Sequence, residues 1–464
     1  MKINEENWQK LFNIISQYLS ENENPDIPVI QYRKATELLE ILNLEIPTQK
    51  QDEEVVFETV KNYLKYSQRT GHPQFNNQLF AGFNVPAFIG EMISHLSNTS
   101  MATYEISPVA TLMERELVIK MNKLTGFNTD EGIMCTGGSN ANMLAIHCAR
   151  SKDDPSVYYE GNKKDYVIFV SESAHYSFEK AVNLMGMGLN CIVQIKNDDD
   201  GKILPNDLEE KIIKAKEAGK TPLMIASTFG TTVMGAFDPV IEIDKIAKKY
   251  DIWHHIDGAW GGSALLSDRF DHLTKGVENA DSYTWDAHKL MGTGVITSFF
   301  LSKHKGILKQ ANSTKGGEKY IFHKYENTDF DTGTNSLQCG RKVDSLKLWL
   351  NWQYLGDQGY KEYVDKLKDN ADYFVEKIKN YPDRFKLIHN PEFLNVCFQI
   401  IPKDSNQDIN QFNYDKRFEL VREGMFQTNF SKTPDAIFFR HIFANNMTEK
   451  KHIDQLVERL LNIQ

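Results

Sequence analysis

The stretch Asp281-Ser-Tyr-Thr-Trp-Asp-Ala-His-Lys289-Leu-Met-Gly292 reads as a short buried strand running into a histidine and a lysine, followed by small residues. A lysine in that place suits formation of a Schiff base with an aldehyde cofactor. Upstream, Trp253-His-His-Ile-Asp257-Gly-Ala-Trp-Gly-Gly262 ends a second short strand in an aspartate. Read alone, a strand-end aspartate is as well explained by a helix cap or a metal ligand, and most lysines are simply solvated. Together the two supply what pyridoxal 5'-phosphate (PLP) requires. The lysine holds the aldehyde, and the aspartate keeps the pyridine nitrogen protonated so that the ring accepts electrons.

Outward from this pair, strand-like and helical runs alternate. Strands are expected at Val167–Ser171, Ile192–Ile195, Leu223–Thr228, Ile252–Asp257 and Phe299–Leu301, and helices at His175–Leu184, Asn206–Ala218 and Asp238–Tyr250. This rhythm predicts an α/β fold with a mostly parallel sheet covered on both faces. Ligands of such sheets gather at the carboxyl ends of the strands, where His175, Thr231, Thr232, Asp257 and Lys289 all fall. Gly132-Ile-Met-Cys-Thr-Gly-Gly-Ser-Asn-Ala-Asn142 runs from a short strand through two glycines into a helix. That turn aims backbone N–H groups at the positive end of the helix and makes a candidate phosphate cradle.

The flanks carry less chemistry. Helical patterns at 8–20, 32–42 and 53–66 read as a docking or dimer-forming arm. The amide-rich loop Gly71-His-Pro-Gln-Phe-Asn-Asn-Gln78-Leu-Phe-Ala-Gly82 suits turns, or orientation of a polar substrate. Pro108 fits the first turn of a helix over Pro108–Leu124. The polar stretch Asn312–Asn335 is long enough to be a lid. A long helix beginning at Leu346–Trp352 leads to a mixed C-terminal part, whose last helix is expected to start at a Thr448 N-cap.

At 464 residues the chain has room for two or three domains. Its formal charge of −10 disfavours a nucleic-acid binder, and an acidic substrate then needs a local cation. Five scattered cysteines without C-x-x-C spacing suggest neither a zinc site nor a disulfide framework, and fit a reducing, cytoplasmic setting. No signal peptide is evident, and no apolar run approaches the roughly 18 residues of a membrane span.

Several motifs in order carry a resemblance: Gly71-His-Pro, Asn77-Gln78-Leu, Thr103-Tyr-Glu-Ile-Ser-Pro108, Thr136-Gly-Gly-Ser-Asn-Ala-Asn142, Ala174-His-Tyr-Ser177, Gly230-Thr-Thr232, His255-Ile-Asp-Gly-Ala-Trp-Gly-Gly262, His288-Lys289, Gln338-Cys-Gly-Arg341 and Phe438-Phe-Arg440. The chain resembles the group II PLP-dependent amino-acid decarboxylases, in the glutamate decarboxylase and cysteine sulfinate decarboxylase branch, from about residue 55 onward. The resemblance implies the PLP-dependent transferase fold type I and a homodimer. It divides the chain into a helical, dimer-forming N-terminal segment (1–95), a large PLP-binding domain (96–350) and a small α+β C-terminal domain (351–464). It makes Lys289 the Schiff-base lysine and Asp257 the partner of the pyridine nitrogen, with His175 stacked on one ring face and Ala259 on the other. Ser139, Asn140 and His288 are expected near the phosphate and Thr232 near the cofactor. Arg440 and Gln78 are expected to contact the substrate carboxylate, and Tyr320 to return a proton after CO2 leaves.

The implied activity is that of a carboxy-lyase, removing the α-carboxylate of cysteine sulfinate, aspartate or glutamate. Asn77-Gln-Leu-Phe-Ala-Gly82, Trp260-Gly-Gly-Ser-Ala-Leu-Leu-Ser267 and Leu355-Gly-Asp-Gln-Gly359 lean toward the cysteine sulfinate branch. The alternatives are a PLP-dependent aldehyde synthase or aminotransferase, against which Tyr320 speaks, and a catalytically silent scaffold. Three departures from the family pattern stand out. Asp286-Ala287 replaces Asn-Pro, and an acid near a phosphate is unfavourable unless it points away or meets a cation. Gly258 replaces an alanine and is expected to loosen the turn. Glu318-Lys319 enlarges the lid.

Overall fold

The computed structural model describes residues 4–314 and 320–463, so Glu318-Lys319 lies outside the described residues. Its strands are β1 (Phe75–Asn76), β2 (Gly132–Cys135), β3 (Tyr166–Ser171), β4 (Ile192–Ile195), β5 (Thr221–Thr228), β6 (Trp253–Gly258), β7 (Ser282–Asp286), β8 (Ser298–Ser302), β9 (Phe385–Leu387), β10 (Asn395–Ile400), β11 (Gln427–Lys432) and β12 (Ile437–Ile442). The chain forms two compact units. One holds Asn84–Lys366 with His389–Phe393; the other holds Met1–Phe83, Leu367–Ile388 and Leu394–Gln464.

The first unit is built on a seven-stranded sheet in the order β2-β8-β7-β6-β5-β3-β4. The pairs β3/β4, β3/β5, β5/β6 and β6/β7 are parallel; β8 runs antiparallel to both β7 and β2. The mostly parallel sheet and the α/β class therefore stand as expected. Continuous apolar runs such as Val167-Ile-Phe-Val170 serve both faces, because successive side chains alternate. Val167 and Phe169 pack with Leu208 and Ile212 of helix Pro205–Glu217, whereas Ile168 and Val170 pack with Leu144 and Cys148 of helix Gly138–Asp153. The stretch before helix Ser345–Lys379 is tied down by Arg341, which is buried and forks onto the Glu114 carboxylate and the Met101 carbonyl.

In the second unit the sheet order is β1-β11-β12-β10-β9, antiparallel except for β1/β11. Helices Glu5–Glu23 and Glu53–Tyr66 belong here, and Arg69 pairs with Glu21 at 2.5 Å under the Tyr18 ring. The last helix, Lys450–Leu461, is not capped by Thr448. Its cap is Glu449, in a reciprocal box with His452, while the Thr448 hydroxyl donates to the Pro73 carbonyl at 2.7 Å. Among the described residues no helix is long and apolar enough to cross a membrane, and no group of three or more His, Cys, Asp or Glu is placed to hold a metal ion.

Candidate active site

Strands β2, β3, β5, β6 and β7 point their carboxyl ends the same way, and the segments that follow them enclose a cavity of about 310 Å3. Thr136, Gly137, Gly138 and Ser139 follow β2, and His175 follows β3. Gly230 and Thr232 follow β5. Asp257 and Ala259 come from the end of β6, and Asp286, His288 and Lys289 from the end of β7. Val295 and Ile296 also line it, as do Asn142, Ser173, Tyr176, Thr228 and Trp260. Seven residues singled out in the sequence (Lys289, Asp257, His175, Ala259, Ser139, Thr232 and His288) thus meet around one space. Asn140 sits in the first turn of the adjacent helix, half-buried, and does not line the cavity.

The cradle owes its shape to glycine. Gly137, at φ +112, turns the chain into helix Gly138–Asp153. A Cβ on Gly138 would come within 2.8 Å of Asp286 Oδ2 and 3.1 Å of the Ala259 Cβ. Any side chain there would occupy the space between the helix start and the strand ends. The first N–H groups of a helix have no partner within it, so this turn offers donors to an anion.

Asp257 is buried and held by two donors: Asn142 Nδ2 to Oδ2 at 2.7 Å, and the Ala259 N–H to Oδ1 at 3.0 Å. The Asn142 orientation follows from Asp257, whose Oδ2 accepts the amide N–H, so that Asn142 Oδ1 faces His255 Nε2. The Ser282 hydroxyl, which accepts the Trp253 indole N–H at 2.8 Å, then donates to His255 Nδ1, also 2.8 Å away. His255 Nε2 therefore carries the proton and gives it to Asn142 Oδ1 at 3.0 Å, which also accepts from Thr284 Oγ1 at 2.8 Å. The Asn142 amide nitrogen also faces Ser177 Oγ at 2.9 Å. Burial pushes His255 down to about 3, which keeps this chain neutral.

Lys289 Nζ lies 3.1 Å from Asp286 Oδ2, and His288 Nε2 lies 3.8 Å from the same oxygen. Burial pushes both His175 and His288 below the usual imidazole range; for each, the Lys289 charge acts in the same direction and the Asp286 charge opposes it. His175 Nδ1 accepts the Ser177 N–H at 3.2 Å, which fixes its ring plane. These residues fit PLP. A lysine, a carboxylate anchored by two donors, an imidazole and a glycine-rich helix start all open on a single cavity.

Three expected residues are not among those that line it. Tyr320, 74% exposed, does not line the cavity. Arg440 and Gln78 belong to the second unit. There Arg440, buried in β12, donates to the Asn77 carbonyl at 3.4 Å, and Gln78 Nε2 lies 3.5 Å from Asn77 Oδ1. Asn142 was missed from sequence. Its signal was an amide inside a helix, where such a residue has poor intrinsic propensity. Gly258, expected to loosen its turn, is instead closed in. A Cβ there would meet the Tyr283 hydroxyl and ring at 2.4 Å, so the aromatic side chain fills the room a larger residue would take.

Residues 36–401 match the pyridoxal-dependent decarboxylase conserved domain. The chain is 36% identical over 460 residues to cysteine sulfinic acid decarboxylase of Rattus norvegicus, covering 96% of this chain and 93% of that one. Identity to the Homo sapiens protein of the same name is 34% over 460 residues, with the same two coverages of 96% and 93%. Among solved structures, mouse CSAD superposes with a TM-score of 0.94 at 35% identity, over 98% of this chain and 97% of that one.

Proposed function

The chain belongs to the pyridoxal-dependent decarboxylase family, and we propose that it releases the α-carboxyl group of an acidic L-amino acid, cysteine sulfinate foremost, as CO2. The observation that carries this reading is the meeting of Lys289 and Asp257 at adjoining strand ends around one cavity. Bound there, PLP supplies a protonated pyridine ring that takes up the electron pair left when the carboxylate departs. The chain's own residues do the rest. Lys289 holds the cofactor covalently, and Asp257, oriented by Asn142 and Ala259, keeps the ring nitrogen protonated. His175 and Ala259 enclose the ring. Ser139 and His288 bind the phosphate, with Thr232 beside the cofactor; Asn140, which does not line the cavity, is left without a phosphate contact.

Arg440 and Gln78 are the proposed contacts for the substrate carboxylate; a guanidinium fork matches a carboxylate with two parallel hydrogen bonds. Tyr320 is the proposed donor of the proton to Cα. The similarity to cysteine sulfinic acid decarboxylases over nearly the whole chain supports cysteine sulfinate ahead of aspartate and glutamate. The cysteines are all free, four of them buried, which supports the reducing, cytoplasmic setting. A homodimer is proposed with it, supported by the exposed apolar face of helix Val85–Ser97.

The test is CO2 release from cysteine sulfinate, aspartate, glutamate and an aromatic amino acid, measured side by side with the amine formed. Release from the acidic substrates, with one amine per CO2 and background turnover in Lys289→Ala, is the expected result. Reaction of the aromatic substrate alone would overturn the role given to Arg440. Aldehyde in place of amine would mean an aldehyde synthase.

A further inference from the structure

Asp286 closes β7 inside the cavity and is 3% exposed. One of its oxygens faces Lys289 Nζ at 3.1 Å and His288 Nε2 at 3.8 Å. The other, Oδ1, has no hydrogen-bond partner among the described residues. Both oxygens press on the start of helix Gly138–Asp153, lying 2.8 and 3.0 Å from where a Gly138 Cβ would stand. The proposed phosphate cradle therefore contains a buried carboxylate with half its acceptor capacity unused.

The titratable groups around it do not neutralise a second anion. His288 on its own segment and His175 after β3 are pushed down by burial, and so are neutral near pH 7. The Cys135 thiol at the end of β2 is pushed up to about 12 by burial and stays protonated. Asp257, which also faces the cavity, adds negative charge. Among these groups Lys289 is the cation, and its single charge already faces Asp286 at 3.1 Å, which leaves none over for a phosphate dianion; Lys347, whose charge also reaches His288, is paired with Asp344 and Glu91. A phosphate dianion beside Asp286 in so dry a place is repelled. A proton between the two oxygens replaces that repulsion with a charge-assisted hydrogen bond.

We infer that Asp286 couples phosphate binding in this cavity to uptake of one proton from solvent, shared between its carboxylate and a phosphate oxygen. This rests on the PLP reading. The cofactor is then held more weakly as pH rises, unlike in a chain with an amide at this position.

The experiment uses the full chain freed of cofactor and pyridoxine 5'-phosphate, which carries the phosphate but no aldehyde. Calorimetric titration at pH 8 in buffers of different ionisation enthalpy counts protons. The wild-type chain is expected to take up about one proton more with pyridoxine 5'-phosphate than with pyridoxine, the same ring without phosphate, since a phosphate monoester is mostly dianionic at that pH. Asp286→Asn is expected to lose the extra proton. It should also bind the phosphorylated probe more tightly, by a factor that grows up to about tenfold per pH unit between about pH 7 and 9. Equal proton counts for the two probes in the wild-type chain overturn the inference, whether or not the variant folds. So does a binding ratio that is flat with pH. Failure of the family reading shows itself separately: no yellow, borohydride-reducible chromophore would then form with PLP at any pH.

Discussion

Asn142 joins a buried polar chain to Asp257, and removing it exposes what that chain does. In Asn142→Ala the His255 N–H and the Thr284 hydroxyl lose their acceptor, and Asp257 Oδ2 loses a donor. Buried polar groups left without partners cost about 1–3 kcal/mol each. The expected outcome is a lower melting temperature and weaker retention of PLP, read by thermal denaturation and by absorbance after dialysis. A variant that keeps wild-type stability and cofactor affinity would show that Asp257 needs no such support. Lys289 and Asp257 were legible in the sequence because their chemistry demands those residue types at strand ends. Asn142 was not legible as a site residue, because its importance lies in who faces it. Asp286 was legible as an acid set near the phosphate, but only the 3.1 Å approach of Lys289 and the bare backbone of Gly138 show what it meets.

Among elements, the apolar strands of the large sheet were found to within a residue or two, and the amphipathic patterns at 8–20 and 32–42 to within three. Strand β4 and helix Glu53–Tyr66 match their expected bounds. Of the elements that escaped, two are the most instructive. β11, Gln427-Thr-Asn-Phe-Ser-Lys432, is mostly polar and exists through its pairing between β1 and β12. Helix Val85–Ser97 is inverted: its small residues Ala87, Gly90 and Ser94 are buried, while Val85, Ile89, Ile93 and Leu96 face out. The long helix expected from Leu346 onward, Ser345–Lys379, is broken at Gly356, where the backbone leaves the helical region at φ +62. The β6–β7 pair yields a prediction of its own. Gly258→Ala drives a methyl into the Tyr283 ring and is expected to cost about 1–3 kcal/mol, the range for an overpacked core. In a Tyr283→Val background the same change should cost little. Urea denaturation of the two single variants and the double variant measures that coupling. Additive costs would mean that the strand end yields elsewhere.

For the whole molecule, the inverted helix is the surface proposed for the contact with a second copy, since Val85 is 55% and Leu96 73% exposed on one apolar stripe. Ile89→Glu with Ile93→Glu is expected to turn a dimer into a monomer in sedimentation at micromolar concentration; an unchanged mass would place the interface elsewhere. Stability against acid depends on a different set of groups. Burial pushes His254 and His255 in one unit down to about 4 and about 3, and His72 and His441 in the other down to about 4 and about 3. Unfolded, each would titrate near 6.5. Between those values the unfolded chain binds protons that the folded chain does not. Their contribution is therefore complete above pH 6.5 and is lost as the pH falls toward 4 and then 3. Asp238 works in the opposite sense. Burial pushes it up to about 7, so its contribution is present below its ordinary 3.8 and is lost as the pH rises to 7. Asp344, also raised by burial, acts with Asp238, whereas His147, His175, His288 and His389 are lowered like the other four, so histidines outnumber the opposing carboxyls and the unfolding free energy is expected to fall between pH 6.5 and 4, by at most about 1.4 kcal/mol per pH unit for each histidine. His441 packs between Phe374 and Phe443, with ring centroids 5.1 and 4.9 Å away. His441→Phe keeps that packing and removes one titrating group. Urea unfolding at pH 7, 6 and 5 should show a shallower loss for the variant by about one proton, and an unchanged slope would mean that His441 is already protonated in the folded chain.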